Sequence, residues 1–286
     1  MLILKNIHIK QKNGRDIDVD TYFIDTDRTK NNDRLMIFAH GFKGFKNWGG
    51  FPYMLSRIAE KGYFTAGFNF TYNGVEESNP MEFTRLDLFS ENTISKELAD
   101  LNSVIDYFYT NSDTFNISKE KIVLIGHSRG GGVSIIQSSE DKRIKSIITL
   151  ASISGFDRYS AEHKRKWKEK GFFEVLNSRT NQMMRLNSTL LEDIEMNRDR
   201  FDISKSVSKI NIPFLIIHGR EDQSVKFTEA EEIYKHSNKE TTKIFPVEHT
   251  GHTFGIVHPF SGTTRAFEAV IEKIISFLDK LKDKIL

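Results

Sequence analysis

The stretch that most constrains the fold is "KIVLIGHSRGGG", residues 121–132, in which a branched apolar run leads directly into closely spaced glycines. Ile122–Ile125 is apolar on both faces, which is typical of a buried strand in a sheet covered by helices on both sides. Gly130–Gly132 and the apolar residues after them predict a tightly packed helix. The sequence therefore predicts a strand–turn–helix unit with Ser128 at the turn, between Gly126 and Gly130.

Further apolar runs predict the other strands of this sheet. They are Leu35–Ala39, Phe64–Phe70, Ile147–Leu150, Phe214–Ile217 and Thr242–Val247. Segments with helical spacing of apolar residues lie between the strands, most clearly at 92–109 and 263–282. Residues 2–9 and 17–24 alternate around Asn13-Gly14, which predicts an antiparallel hairpin. The alternation of strands and helices indicates an α/β fold with a mostly parallel central sheet flanked by helices.

One connection is far longer than the few residues usual in such folds. We expect residues 153–205 to form a helical cap insertion, and residues 1–152 and 206–286 to form the core. The insertion is rich in charges and carries aromatic, Met and Leu side chains at Trp167, Phe172, Phe173, Met183, Met184 and Leu186. Because ligands of open α/β sheets bind at the carboxyl ends of the strands, we expect the insertion to cover that edge and its aromatic and Met side chains to line a pocket there.

The turn at Ser128 predicts a strained backbone that presents the hydroxyl at the edge of the sheet. Gly126 and Gly130 are expected because a Cβ at either position would collide with a neighbouring strand or helix. A serine hydroxyl is a weak nucleophile at neutral pH, so it requires a histidine base and a carboxylate that orients the base. His127 is expected to pack against strands on the side of the cap.

Both partners follow later strands. "FLIIHGREDQSV", residues 214–225, is a strand followed by Asp222, and "TTKIFPVEHTGHTFG", residues 241–255, is a strand followed by His252. Glu221 and Asp157 are the alternative carboxylates. His249 is the alternative base, but Gly251 is expected to give the turn that directs His252 towards Ser128.

Two backbone N–H groups are needed to stabilise an oxyanion. Arg129 N–H follows the nucleophile, and Phe42 N–H follows an early strand in "FAHGF". The side chain of Arg129 is expected to form a salt bridge at the surface.

Composition narrows the classes of function. The 286 residues include 41 Lys and Arg against 39 Asp and Glu, and no Cys. Nearly balanced charge does not indicate nucleic acid or an anionic membrane as a partner, and a thiolate site is excluded. No apolar run reaches membrane-spanning length and the N-terminus does not resemble a secretion signal, so we expect a cytoplasmic protein. No cofactor is expected, and the sequence leaves a homodimer open.

Together these motifs resemble the α/β-hydrolase superfamily. They are His40-Gly41-Phe42, Gly126-His127-Ser128-Arg129-Gly130, His218-Gly219-Arg220-Glu221-Asp222 and Gly251-His252-Thr253-Phe254. The sequence is similar to bacterial feruloyl- and cinnamoyl-esterase-like, dienelactone-hydrolase-like and prolyl-oligopeptidase-like hydrolases. The resemblance implies an α/β-hydrolase core with a cap inserted between the sixth strand and the strand that precedes the acidic residue. The chain has no Cys, so it lacks the nucleophile of the dienelactone hydrolases.

The expected function is hydrolysis of small to medium carboxylic esters through an acyl-enzyme on Ser128, His252 and Asp222. Peptidase, thioesterase and acyltransferase activities would use the same residues. A non-catalytic ligand-binding protein on the same scaffold is a further alternative. A metal site at His249, His252 and His258 is disfavoured, because their spacing matches no common zinc pattern and no acidic cluster accompanies them.

Overall fold

The computed structural model describes residues 1–11, 14–24, 33–177 and 181–282. Its main feature is an eight-stranded sheet of order β1-β2-β4-β3-β7-β8-β11-β12. The strands of this sheet are β1 (Leu2–Ile9), β2 (Ile17–Ile24), β3 (Asp33–Ala39), β4 (Phe64–Phe68), β7 (Ile117–His127), β8 (Ile144–Leu150), β11 (Phe214–Gly219) and β12 (Thr242–Val247). Two hairpins lie outside it: β5 (Val75–Glu76) with β6 (Asn79–Phe83), and β9 (Phe172–Asn177) with β10 (Gln182–Asn187).

The sheet is antiparallel at one edge and parallel elsewhere. β1 pairs with β2, and β2 with β4, in antiparallel register, which confirms the predicted hairpin. The turn residue Asn13 lies outside the described residues, and Gly14 has φ 78°. All pairings from β4 to β12 are parallel. The central strands β4, β8 and β11 and the second half of β7 are buried on both faces because helices flank the sheet, as the continuous apolar runs predict, whereas the edge strand β12 is partly exposed.

Ten helices are described within these ranges. They are α1 (Phe51–Ala59), α2 (Leu86–Ser90), α3 (Ile94–Thr110), α4 (Ser112–Phe115), α5 (Arg129–Glu140), α6 (Ala161–Lys170), α7 (Ser188–Met196), α8 (Ile203–Val207), α9 (Phe227–His236) and α10 (Arg265–Lys282). α1 packs against α10, whereas α5 packs against α3 and α8, and α8 against α9. The predicted apolar stripe of α3, which includes Leu98, Leu101 and Ile105, is buried.

The connection between β8 and β11 contains a β-hairpin as well as the expected helices. β9 and β10 pair along their full length, between α6 and α7. The insertion has its own packed centre, where the buried Trp167 donates its indole N–H to Leu186 O at 3.0 Å. Its ring contacts those of Tyr159 and Phe173. α8, which straddles the expected boundary at residue 205, packs against helices of the core.

Candidate active site

The register of the sheet aligns the carboxyl ends of the central strands. Ala39 of β3 pairs with Gly126 of β7, and His127 pairs with Leu150 of β8. Gly219 of β11 pairs with Val247 of β12. Because these carboxyl ends are aligned, the segments that follow β3, β7, β11 and β12 leave the sheet at the same edge. These segments carry the predicted site residues. This is the edge at which open α/β sheets bind ligands.

Ser128 occupies a sharp turn between β7 and α5. Its φ of 56° and ψ of −119° lie in a region that side chains avoid, so the surrounding structure must hold it there. A Cβ on Gly126 would lie 2.3 Å from Gly130 O, and one on Gly130 would lie 2.3 Å from Ala39 O. The steric reason predicted for both glycines is confirmed, because only residues without a side chain allow β7, α5 and β3 to approach this closely.

Asp222 and His252 form a hydrogen-bonded pair. The Asp222 carboxylate is fully buried, and its Oδ2 accepts from His252 Nδ1 at 2.7 Å. Its Oδ1 accepts the backbone N–H groups of Ser224 at 2.8 Å and Val225 at 2.9 Å. Because the carboxylate is an acceptor, the proton of a neutral His252 lies on Nδ1 and leaves Nε2 as a proton acceptor.

His218 is a second histidine on Asp222, and the sequence patterns did not assign it a role. Its fully buried Nε2 donates to Val225 O at 2.8 Å and lies 3.3 Å from Asp222 Oδ2. Burial raises the pKa of Asp222, but the hydrogen bonds from His218, His252 and Val225 outweigh it and hold this pKa well below its ordinary value. The carboxylate therefore remains ionised at neutral pH.

The alternative acid and base residues have other partners. Glu221 lies 3.5 Å from His249 Nδ1, and both side chains are mostly exposed. Asp157 pairs with Lys164 at the start of α6. His249 has φ 55°, whereas Gly251 has ordinary backbone geometry, and a Cβ added to it would meet no atom closer than 3.7 Å. The backbone therefore reverses at His249, and Gly251 O accepts from Phe254 N at 3.2 Å in a turn that contains His252, although neither conformation nor space requires a glycine at position 251.

His127 supports the segment that carries His252. Its Nε2–H donates to His252 O at 3.0 Å, and the two rings lie 4.7 Å apart. It also packs against Phe51 of α1, so the expectation that it packs against strands on the cap side is wrong. Burial, and then the neighbouring His252, lower the pKa of His127 to about 3. His127 is therefore neutral and acts as a fixed hydrogen-bond donor.

The two predicted oxyanion donors belong to segments next to Ser128, since Arg129 follows it in the chain and a Cβ added to Gly41 would lie 2.8 Å from Ser128 Cβ. In the described part of the chain, the backbone N–H groups of Phe42 and Arg129 donate to no other backbone group. The carbonyl of the peptide before Phe42, Gly41 O, accepts from Gly44 N at 3.0 Å and from His40 Nδ1 at 2.9 Å. His40 Nε2 accepts from Phe70 N, so the proton of His40 lies on Nδ1. Since a trans peptide is planar, fixing this carbonyl also fixes the direction of Phe42 N–H.

A cavity of about 440 Å³ opens beside Ser128 and His252. Its other lining residues are Phe42, Lys43, Ile94, Arg129, Ile153, Phe156, Arg158, Tyr159, Ile194, Ser224 and Val225. The insertion contributes Ile153, Phe156, Arg158, Tyr159 and Ile194, but none of the Trp167, Phe172, Phe173, Met183 or Met184 side chains expected there. Trp167, Met184 and Leu186 are instead buried within the insertion.

The described ranges contain neither a metal centre nor a membrane span. Within them, no group of three or more His, Cys, Asp and Glu side chains could hold a metal ion. His258, the third histidine of the disfavoured metal site, accepts a hydrogen bond at Nδ1 from Gly49 N at 3.0 Å. In the same part of the chain, no helix combines the length and the apolar character that crossing a membrane requires.

Similar solved structures show that the fold is that of the α/β-hydrolases. Est1E from Butyrivibrio proteoclasticus, with bound ferulic acid, is similar at 19% identity and TM-score 0.71, covering 96% of this chain and 98% of that chain. Butyrate-bound Est2 from Thermogutta terrifontis is similar at 15% identity and TM-score 0.68, covering 97% and 94%. Mouse alpha/beta hydrolase domain-containing protein 10 is similar at 16% identity and TM-score 0.70, covering 99% and 100%.

The sequence itself gives the family. Residues 84–236, more than half of the chain, match the BD-FAE family, and the chain belongs to it. A comparison with curated proteins finds no match. The family and the fold together define an esterase-type α/β-hydrolase.

Proposed function

We propose that this protein hydrolyses small to medium carboxylic esters through an acyl-enzyme on Ser128. The observation that carries the proposal is the buried Asp222–His252 pair, with a hydrogen bond of 2.7 Å, beside the cavity that Ser128 lines. A buried carboxylate bonded to Nδ1 leaves Nε2 of the imidazole available to remove the proton of a serine hydroxyl. The ferulic acid and butyrate of the similar structures are carboxylic acids of the proposed size.

The reaction follows from these positions. Ser128 Oγ attacks the ester carbonyl carbon while His252 Nε2 takes the hydroxyl proton, and the carbonyl oxygen becomes an oxyanion held by Phe42 N–H and Arg129 N–H. The carbon–oxygen bond to the alcohol then breaks, and the imidazolium returns the proton to the leaving alkoxide. Water repeats the sequence on the acyl-enzyme and releases the carboxylic acid and Ser128.

A fluorophosphonate probe tests the nucleophile directly. We expect one equivalent of probe to label the protein, and no labelling in Ser128→Ala. Ser224→Ala is the matched control, because this serine lines the same cavity and should leave the labelling in place. Labelling that persists in Ser128→Ala would refute the assignment.

Substrate comparison tests the reaction. p-Nitrophenyl esters of increasing acyl length, methyl ferulate and aminoacyl p-nitroanilides separate an esterase from a peptidase. Ser128→Ala and His252→Ala should each lower kcat for the best ester by at least about 10³. Faster cleavage of the nitroanilides than of every ester would contradict the proposed ester specificity.

A further inference from the structure

Arg129 lines the cavity, although only its backbone N–H is used in the proposed reaction. Its side chain is 11% exposed, and Nη1 lies 3.4 Å from Glu97 Oε1. The guanidinium stacks over the Phe42 ring with its Cζ 4.2 Å from the ring centroid. The expected surface salt bridge is therefore a nearly buried one, at the wall of the cavity that Ser128 and His252 share.

Most hydrogen-bond donors of this guanidinium are not used by the protein. A guanidinium has five N–H groups, and in the described part of the chain the bond to Glu97 is the one that Arg129 makes. Within the described residues, every guanidinium nitrogen of Arg129 either has a hydrogen-bond partner or is accessible to solvent. Arg129 lines the cavity, and its remaining N–H groups are accessible to solvent. They are available to an acceptor on a bound molecule.

The charges around the cavity favour an anion. Lys43 and Arg158 line it together with Arg129, and none of its described lining residues is Asp or Glu. Arg158 pairs with Glu229, which lies outside the lining. Glu97 is buried on α3, and its Oε2 has no hydrogen-bond partner. Burial raises the pKa of Glu97, and the opposing effect of Arg129 is smaller. A carboxyl group with a raised pKa neutralises the guanidinium less completely.

The rest of the cavity suits an apolar chain. Ile94, Ile153, Phe156 and Ile194 line it between the core and the insertion. An extended arginine carries its guanidinium roughly 6 Å from its Cα, given carbon–carbon bonds of about 1.5 Å. The distance from the Arg129 Cα to its guanidinium is thus at most about the length of a short dicarboxylic acid.

We propose that the site prefers esters whose acyl chain ends in a carboxylate, with Arg129 binding that carboxylate and the isoleucines enclosing the methylene groups. This inference rests on the proposed ester hydrolysis. A carboxylate bound by an arginine in a partly desolvated site receives charge-assisted hydrogen bonds, which are stronger than neutral ones. A chain ending in a methyl group leaves the guanidinium without an acceptor.

The experiment compares two esters of equal chain length. Mono(p-nitrophenyl) adipate and p-nitrophenyl hexanoate differ only by a carboxylate in place of the terminal methyl group. We expect kcat/KM at pH 7, corrected for spontaneous hydrolysis, to be at least about tenfold higher for the adipate ester. Arg129→Met, which keeps the backbone N–H, should reduce the adipate-to-hexanoate ratio to one or below. Using the ratio separates recognition of the carboxylate from any change in overall activity.

Two further variants keep the test decisive if Arg129→Met folds poorly. Glu97→Gln removes the competing carboxylate and should raise the ratio, whereas Arg158→Met, at an ion-paired rim position, should change it less than Arg129→Met does. An adipate-to-hexanoate ratio of one or below in the wild type would overturn the inference. A ratio that decreases in Glu97→Gln and is unchanged in Arg129→Met would do the same. In both cases the proposed ester hydrolysis stands. Failure of the wild type to cleave either ester or to react with the fluorophosphonate would instead overturn the proposed function, and this inference with it.

Discussion

Replacement of Asp222 by Asn should inactivate the protein by trapping His252 in the wrong tautomer. The Oδ1 atom of residue 222 faces two N–H donors, at Ser224 and Val225. An Asn will keep its oxygen there, because its NH₂ group cannot accept. The NH₂ group then occupies the place of Oδ2, where it donates to His252 Nδ1 and loses the hydrogen bond from His218 Nε2. The proton of His252 moves to Nε2, where the imidazole can no longer act as a base towards Ser128.

The size of the effect follows from the bonds involved. Turning the amide to restore the productive tautomer breaks two backbone hydrogen bonds, at about 1 kcal/mol each. Loss of the carboxylate removes a charge-assisted bond to the imidazolium that forms during reaction, about 1.5–3 kcal/mol. The sum of roughly 4 kcal/mol corresponds to a decrease in kcat of about 10³.

The assay is steady-state hydrolysis of the best p-nitrophenyl ester, with thermal unfolding measured on the same samples. Glu221→Gln is the matched control, since this neighbouring carboxylate is exposed and pairs with His249. It should retain activity within about twofold. An Asp222→Asn variant that unfolds at the wild-type temperature and keeps more than a tenth of the activity would refute the reasoning.

Three other perturbations have expected outcomes. Burial lowers the pKa of His127 from 6.5 to about 3 and the pKa of His40 from 6.5 to about 4. The unfolded state therefore binds more protons than the folded state, and stability decreases as the pH falls below 6.5. In urea titrations, each of the two groups should lower the unfolding free energy by roughly 2 kcal/mol between pH 7 and pH 5. His127→Gln should reduce this pH dependence. Gly130→Ala places a Cβ 2.3 Å from Ala39 O and should lower the unfolding free energy by about 1–3 kcal/mol or more. Gly155→Ala, with nothing within 4 Å, should change it by less than about 0.5 kcal/mol.

These stability measurements have clear contrary results. An unchanged pH dependence in His127→Gln would mean that the buried imidazole does not resist protonation. Equal unfolding free energies for the Gly130 and Gly155 variants would contradict the close approach of β7, α5 and β3.

The parts of the structure that were predictable are those coded by local pattern. Continuous apolar runs gave the parallel strands, and their order gave the edge at which Ser128, Asp222 and His252 emerge. The β9–β10 hairpin was missed because its charged, alternating residues resemble the exposed face of a helix. A period of two is visible in Gln182–Asn187, where Met184 and Leu186 are buried and Met183 and Arg185 are exposed.

Contacts between distant segments were not predictable from one sequence. Glu97 appears as an ordinary helix residue, and nothing local indicates that Arg129 would reach it from another element. The same holds for His218, which is recognisable only as part of the motif that ends at Asp222. Its position on the carboxylate depends on the turn from Gly219 to Val225, which returns both side chains to one point.

The site of the insertion has an evolutionary consequence. β8 and β11 are adjacent in the sheet, so the chain leaves and re-enters the core at neighbouring strands. A segment of almost any length can be exchanged there without disturbing strand order or the proposed catalytic residues. Phe156, Arg158, Tyr159 and Ile194, which shape the cavity, all belong to this segment. Replacement of this one segment would therefore reshape the cavity while Ser128, Asp222 and His252, the proposed catalytic residues, keep their places on the core.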